Sequence, residues 1–256
     1  MTEQPPDERP PKRRRRRKKD TPWYRDPVIV IPLVGALIGA IVGSFQIYDK
    51  CCADKPAPVS VQYVVDTSRG MAGTISGRPK LEVVKAVLLR HVEDEEKVAH
   101  GLTLAPPCAV GANPQRIDTD TGNADDFKAA LEGVAPKGRA DLARSIGIAA
   151  NDLLEQEQEG TQRSVLILLV GGRDPCGGAV AALEDALDLL TENSVKLRFR
   201  FVGVKAPKSV QEYLKRLRTR AKRAGFKAQV TLATSTADLR TAAEAPPTPT
   251  ATPTSG

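Results

Sequence analysis

Residues 59–68 read VSVQYVVDTS, and this stretch decides the fold. It is rich in β-branched and apolar residues, so it predicts a strand that is buried on both faces. Polar residues, Asp66 and Ser68 among them, follow at its carboxyl end. A second run, SVLILLV at 164–170, is also apolar on both faces. Such runs are typical of the middle of a parallel sheet that is covered by helices on either side.

Helical and strand patterns alternate around these two runs. Residues 80–92 (KLEVVKAVLLRHV), for example, place Leu81, Val84, Leu88 and Val92 on one helix face. The alternation predicts right-handed crossovers and an α/β fold: a doubly wound, mostly parallel, Rossmann-like sheet with helices on both faces. A ligand crevice should then lie beyond the carboxyl ends of the strands. Further helices are predicted at 125–134, 140–155, 177–190, 209–223 and 236–245, and further strands at 97–105, 195–204 and 229–232.

The order of these elements and three short motifs resemble a von Willebrand factor A-type domain over residues 59–245. In that family the first strand ends in D-x-S-x-S, which DTSRG at 66–70 resembles. Residues 136–142 (PKGRADL) resemble the loop that carries a metal-binding threonine, and residues 168–172 (LLVGG) resemble the strand that ends in T-D-G. The resemblance implies a domain that binds a partner through these three loops.

In the family the three loops form a metal-ion-dependent adhesion site. Hard oxygen ligands hold Mg²⁺ or Mn²⁺ there and leave one position open for an acidic residue of the partner. This chain keeps Asp66 and Ser68 but has Gly70 for the second serine, Ala140 for the threonine and Gly171 for the aspartate. The resemblance therefore implies a degenerate site, and no cofactor is expected.

Three roles remain open for this vestigial site. Asp66 and Ser68 can bond backbone amides in the loops, as Asp and Ser often do at turns. The same surface can bind a protein partner without metal. Ordinary Mg²⁺ or Mn²⁺ binding would need Asp141 or Asp174 to replace the missing ligands.

A membrane anchor is predicted from the uncharged stretch at 27–47. Its 21 residues are about the length that a helix needs to cross a bilayer. Seven basic residues from Arg13 to Lys19 precede it, and the positive-inside rule keeps such a flank in the cytoplasm. We expect a single-pass protein of the plasma membrane, in bacteria, with its C-terminal domain outside the cytoplasm. The predicted segments are a disordered basic tail (1–26), a transmembrane helix (27–48), a linker (49–58) and a disordered Pro/Thr-rich tail (246–256).

Small residues recur on one face of the predicted membrane helix. Gly35, Gly39 and Gly43 are spaced every four residues, so a second helix could approach closely there and form a homodimer. Cys51 and Cys52 follow at the membrane surface, where they could pair across such a dimer, carry lipid or stay free. Helix pairing of this kind would suit a transmembrane sensor.

Nucleic-acid binding is not expected, although the formal net charge is +7. Residues 1–26 hold ten Lys/Arg against five Asp/Glu, so most of the excess is local to that tail. A second basic cluster lies in the helix predicted at 209–223. It reads as a solvated helix face or as a surface for anionic lipids or acidic envelope polymers.

The four cysteines of a domain in an oxidising compartment can pair in three ways, and the sequence alone does not choose among them. The resemblance favours one pairing. Many bacterial domains of this type have cysteines at places similar to Cys108 and Cys176, which implies a disulfide between these two.

No catalytic apparatus is recognisable in the sequence. His91 and His100 lie in a predicted helix and a predicted strand with no C-x-x-C motif nearby, so both are expected to be structural. With 4% aromatic residues the chain suits a sheet between helices better than a carbohydrate-binding sandwich. We therefore expect a non-enzymatic, membrane-tethered domain with a protein partner at its loop face. The alternatives are a transmembrane sensor and a metal-dependent adhesion protein.

Overall fold

A computed structural model describes residues 59–109, 112–158, 163–172, 176 and 178–244. Within these ranges no helix combines the length and the apolar character that crossing a bilayer requires. The predicted membrane helix (27–48), its Gly35/Gly39/Gly43 face, the linker (49–58) with Cys51 and Cys52, and both predicted tails (1–26 and 246–256) lie outside the described residues.

The described residues form an α/β fold with one central sheet. The sheet has six strands in the order β5-β4-β1-β6-β7-β8, and β2 and β3 form a separate hairpin. All neighbours in the large sheet are parallel except β5, which runs antiparallel to β4. The predicted doubly wound, mostly parallel sheet is confirmed. The strands are β1 (Val59–Val65), β2 (Thr74–Ile75), β3 (Arg78–Pro79), β4 (Ala99–Leu104), β5 (Gln115–Asp120), β6 (Arg163–Val170), β7 (Leu197–Val204) and β8 (Lys227–Ala233).

Helices cover both faces of the sheet, as predicted. All seven residues of β1 are buried, because β4 and β6 flank it and a separate apolar cluster packs on each of its faces. The helices are α1 (Lys80–Asp94), α2 (Ala124–Leu131), α3 (Leu142–Gln158), α4 (Ala179–Glu192), α5 (Lys208–Arg223) and α6 (Thr236–Ala243). Helices α1, α2 and α6 contribute to one cluster, and α3, α4 and α5 contribute to the other.

Two elements were not predicted, because their sequences carry little apolar periodicity. Strand β5 reads QRIDTD and is mostly exposed at the edge of the sheet, so only Ile117 and Thr119 mark an inward face. The β2–β3 hairpin has two residues in each strand. The first strand was predicted to reach Ser68, but it ends at Val65 because the backbone turns into the loop at Asp66.

A buried polar network crosses the edge of the sheet. Gln62 on β1 donates to Thr103 Oγ1 (3.0 Å) and to Asp152 Oδ2 (3.3 Å), and it accepts from Thr119 Oγ1 (2.9 Å). Arg116 also reaches Asp152, at 3.4 Å. Burial raises the pKa of Asp152 to about 6, although the nearby Arg116 acts to lower it. This carboxyl therefore titrates far above its usual range.

Both histidines lie in structural surroundings. His100 is buried, with its ring stacked on Tyr63 at 6.0 Å between centroids and edge-on to Phe127. Burial lowers its pKa to about 4. His91 lies 3.6 Å from Glu95, one turn further along α1. Neither residue reaches the loops at the carboxyl edge of the sheet.

Candidate functional site

The loops that follow β1 and β6 meet at the carboxyl edge of the sheet, as their parallel pairing requires. This edge brings together Asp66, Ser68, Gly70 and Gly171. Ala140, the fifth predicted position, lies in the neighbouring loop before α3. That loop joins the first loop where Arg69 N donates to Gly138 O at 3.2 Å.

Asp66 is the centre of the site, and its carboxylate is bonded to backbone amides. Oδ1 accepts from Ser68 N (2.7 Å), and Oδ2 accepts from Gly171 N and Gly172 N (3.0 Å each). The residue is only 1% exposed. Ser68 Oγ in turn accepts from Gly70 N at 3.2 Å, where it caps a short 3-10 helix at Arg69–Met71. Both oxygens of Asp66 are thus committed to holding the two loops together.

Glycines let these two loops touch through their backbones. A Cβ added to Gly70 would lie 2.3 Å from Gly172 Cα, and one added to Gly171 would lie 2.3 Å from Met71 Sδ. Met71 itself is fully buried. Neither the serine nor the aspartate of a metal site could therefore be placed here without moving the loops apart.

A lysine that sequence reasoning missed lies beneath this contact. Lys80, at the start of α1, is 7% exposed. Its ammonium donates to three carbonyl oxygens, those of Gly70 (3.2 Å), Gly171 (3.4 Å) and Lys205 (3.1 Å). Burial and the charge of Lys205 lower the pKa of this amine, and the Asp66 carboxylate raises it. The loops after β1, β6 and β7 therefore share one internal cation.

The position of Lys80 in the sequence is a signal for a buried lysine, but it does not identify the partners of the amine. Lys80 shares a helix face with Val84, Val87 and Leu88, which are all buried. It also opens the helix, where the macrodipole disfavours a positive charge. A lysine on a buried helix face and at a helix N-terminus is expected to have a hydrogen-bond partner for its amine. The spacing of the residues does not show which carbonyl oxygens accept from that amine.

The loop at 137–141 lies between two other loops. On one side Lys137 N donates to Thr67 O (2.9 Å). On the other, Cys108 N donates to Arg139 O (2.9 Å), and Ala140 forms an antiparallel bridge with Pro107. Ala140 is 1% exposed and carries no side-chain oxygen. The loop at 137–141, called the strap below, is therefore held on both sides. Ala140, which stands where the family has a threonine, is buried within it.

These residues do not fit a divalent ion. An oxygen-ligated site needs several free oxygens around one point, whereas Asp66 already accepts three amide N–H groups and Gly70, Ala140 and Gly171 offer no side-chain oxygen. Among the described residues there is also no group of three or more His, Cys, Asp or Glu side chains placed to hold a metal. Asp141, one suggested replacement, accepts from Arg144 N at 3.0 Å, and Asp174 lies outside the described residues.

The predicted disulfide joins Cys108 and Cys176, whose Cα atoms are 5.7 Å apart. It connects the loop after β4 with the loop after β6, across 68 positions of sequence. Because the strap at 137–141 is bonded to Cys108, the disulfide ties all of these loops to one another.

Comparison with known proteins identifies the fold only. No family model and no curated protein matches the chain. Among solved structures, the PilB minor pilin of Streptococcus sanguinis matches at a TM-score of 0.58 and 12% identity, over 73% of this chain and 60% of the pilin. BatB from Bacteroides thetaiotaomicron matches at a TM-score of 0.51 and 19% identity, over 72% of this chain and 95% of BatB. The pilus adhesin SpaC from Lactobacillus rhamnosus GG matches at a TM-score of 0.55 and 13% identity, over 72% of this chain and 29% of the adhesin.

The described residues have the fold of the von Willebrand factor A type that the sequence resembles. The strand order and the loop positions agree with that resemblance, and the solved structures show a shared fold. The chain spans about 60% of the length of the pilin that it matches. An aerotolerance-related membrane protein from Bacteroides fragilis shares the fold at a TM-score of 0.51 and 19% identity, over 70% of this chain and 94% of that one.

Proposed function

We propose that this chain is a non-enzymatic, membrane-tethered interaction domain that binds a protein partner through the loops at the carboxyl edge, without a metal ion. One observation carries the proposal: both carboxylate oxygens of Asp66 accept backbone N–H groups from its own loop and from the loop after β6. A carboxylate engaged in this way holds the loops together and has little capacity left for an ion.

An internal cation supports metal independence. In a metal-dependent adhesion site, a divalent ion balances the carboxylate and draws the loops together. Here the Lys80 ammonium bonds three loop carbonyls, and its charge interacts favourably with Asp66. The loops therefore share one buried amine of this chain, which supports a loop shape that does not depend on the concentration of a metal.

The metal-dependent alternative would require two costly changes. Asp66 would have to share its oxygens between the ion and its amide partners or give up some of these partners, and the contact between Gly70 and Gly172 would have to open. Buried amides that lose a charged acceptor cost about 1–3 kcal/mol each. We therefore do not favour this alternative.

Catalysis is not part of the proposal. Asp66 and Lys80 are the buried ionisable groups at the described loop edge, and backbone atoms already occupy both. Neither is placed to exchange a proton with a substrate. Nucleic acid is not proposed as a partner, because the excess positive charge is concentrated in residues 1–26.

The membrane tether is proposed from the sequence, with the helix at 27–48 crossing the bilayer and the domain outside the cytoplasm. The names of structural neighbours are compatible with it, since one is called a membrane protein and others a minor pilin and a pilus adhesin. Pairing through Gly35, Gly39 and Gly43, and the sensor that it would permit, stay predictions about residues outside the structure.

Partner capture in chelator tests this function. The full-length protein is purified from its own membranes with bound proteins, in EDTA or in Mg²⁺. Ala72 is exposed in the loop after β1, so Ala72→Trp should block the face. The control is Glu192→Trp, an exposed position at the C-terminal end of α4, away from the carboxyl edge. A partner retained in EDTA, lost with Ala72→Trp and kept with Glu192→Trp is expected. A partner released by EDTA would contradict metal independence.

A further inference from the structure

Three exposed cations surround the vestigial metal site. Arg69 lies in the loop after β1, and Lys137 and Arg139 lie on the strap before α3. The backbone bonds Arg69 N to Gly138 O and Lys137 N to Thr67 O join these two segments side by side. The three cationic residues therefore lie on adjacent, hydrogen-bonded backbone.

The platform that carries these cations is fixed from several directions. Arg139 O accepts from Cys108 N, and Cys108 is held by the disulfide to Cys176. Thr67 Oγ1 donates to Ala105 O at 2.7 Å. Because the backbone is held in this way, a ligand would have to order only the side chains, which lowers the entropic cost of binding.

These cations lack acidic partners among the residues that the structure describes, whereas two basic residues of α5 have them. On α5, Lys215 pairs with Glu212 and Arg220 pairs with Glu184, each at 2.8 Å. No ion pair within the described ranges involves Arg69, Lys137 or Arg139. Three uncompensated positive charges therefore lie beside the loops that the family uses for binding.

We infer that Arg69, Lys137 and Arg139 form a carboxylate-binding site that receives an acidic segment of the protein partner. The inference rests on the proposed function and specifies its partner. Two guanidinium groups can each bind a carboxylate through paired N–H donors, and the lysine adds a point charge. Exposed ion pairs are individually weak, so a segment with several Asp or Glu residues fits this site better than a single carboxylate.

A zero-length crosslinking experiment can locate such binding. The probe is a biotinylated, blocked tetraglutamate peptide, with tetraglutamine as its control, added to full-length protein in zwitterionic nanodiscs. A carbodiimide activates the glutamate carboxyl, a neighbouring lysine amine then forms the amide with release of the carbodiimide as its urea, and mass spectrometry identifies the lysine. Because the readout is the individual lysine, binding to the basic run at Arg13–Lys19 does not interfere.

We expect the peptide to label Lys137 more than the exposed lysines Lys215 and Lys222, equally in Mn²⁺ and in buffer from which metal and chelator have both been removed by dialysis. The variant Arg69→Gln/Arg139→Gln should reduce labelling of Lys137 about fivefold, because two weak charge pairs are lost. The matched variant Arg216→Gln/Arg223→Gln on α5 should leave it unchanged.

Three other results would overturn the inference. Labelling of Lys137 no stronger than that of Lys215 would remove the site, while metal-independent partner binding could still hold. Labelling that requires Mn²⁺ would contradict both this site and the proposed function. Equal competition by inorganic phosphate and by free tetraglutamate would identify a general anion site in place of an acidic-segment site.

Discussion

The backbones of Gly70 and Gly172 are in direct contact, so closely that a Cβ on Gly70 would lie 2.3 Å from Gly172 Cα. This contact lies between the loop after β1 and the loop after β6. Asp66 bonds across it to Gly171 N and Gly172 N. The close backbone contact and the bonds of Asp66 therefore hold the same two loops together.

Restoring the family serine at position 70 should destabilise the protein. Gly70→Ser places a side chain where the Gly172 backbone lies, and overpacking of this kind costs about 2 kcal/mol. Chemical unfolding of the full-length variant measures this loss. Gly147→Ala in α3 is the control, because a Cβ there meets nothing within 4 Å and should stabilise by about 0.5–1 kcal/mol. A neutral Gly70→Ser would show that the loops are not closed.

Removing the internal cation should also be costly. Lys80→Met leaves the carbonyls of Gly70, Gly171 and Lys205 without their donor, so we expect a loss of about 2 kcal/mol. Lys215→Met removes an amine whose side chain is 52% exposed and should change stability by less than about 0.5 kcal/mol. Equal effects of the two substitutions in chemical unfolding would mean that Lys80 does not hold the loops.

The buried Asp152 should make stability depend on pH in a definite direction. Its pKa is raised in the folded protein to about 6 from 3.8, so the folded state favours the protonated carboxyl. The stability that this proton contributes is full below pH 3.8 and is lost as the pH rises through about 6. Relative to Asp152→Asn, the wild type should therefore lose about 1 kcal/mol between pH 4 and pH 7. Unfolding both proteins across this range gives the difference, and a difference independent of pH would refute the shifted pKa.

Much of the fold could be predicted, because buried strands and amphipathic helices leave periodic apolar patterns. The apolar runs within 59–68 and 164–170 predict strands β1 and β6 for that reason. Strand β5 was not, since an exposed edge strand such as QRIDTD needs few apolar residues. The buried strands of the sheet could therefore be predicted from their apolar sequences, whereas the exposed edge strand could not.

The site was predictable in its positions but not in its bonding. The motifs placed Asp66 and Gly171 at one edge, and turn chemistry suggested that Asp66 bonds backbone amides. Which amides it bonds depends on how closely two loops approach, and a sequence does not state that distance. Lys80 was missed for the same reason, since its acceptors belong to three loops distant in sequence.

Thermal unfolding with and without metal tests metal independence most directly. The full-length protein, oxidised and in zwitterionic nanodiscs, is heated in EDTA and then in millimolar Mg²⁺ or Mn²⁺, with far-UV circular dichroism as the signal. We predict the same midpoint in all three conditions. A site that binds the added metal with a hundredfold excess over its dissociation constant would stabilise the fold by about 2.7 kcal/mol and raise the midpoint by about 5–10 °C. A rise of that size, abolished by Asp66→Ala, would contradict the account and indicate an active metal-dependent adhesion site.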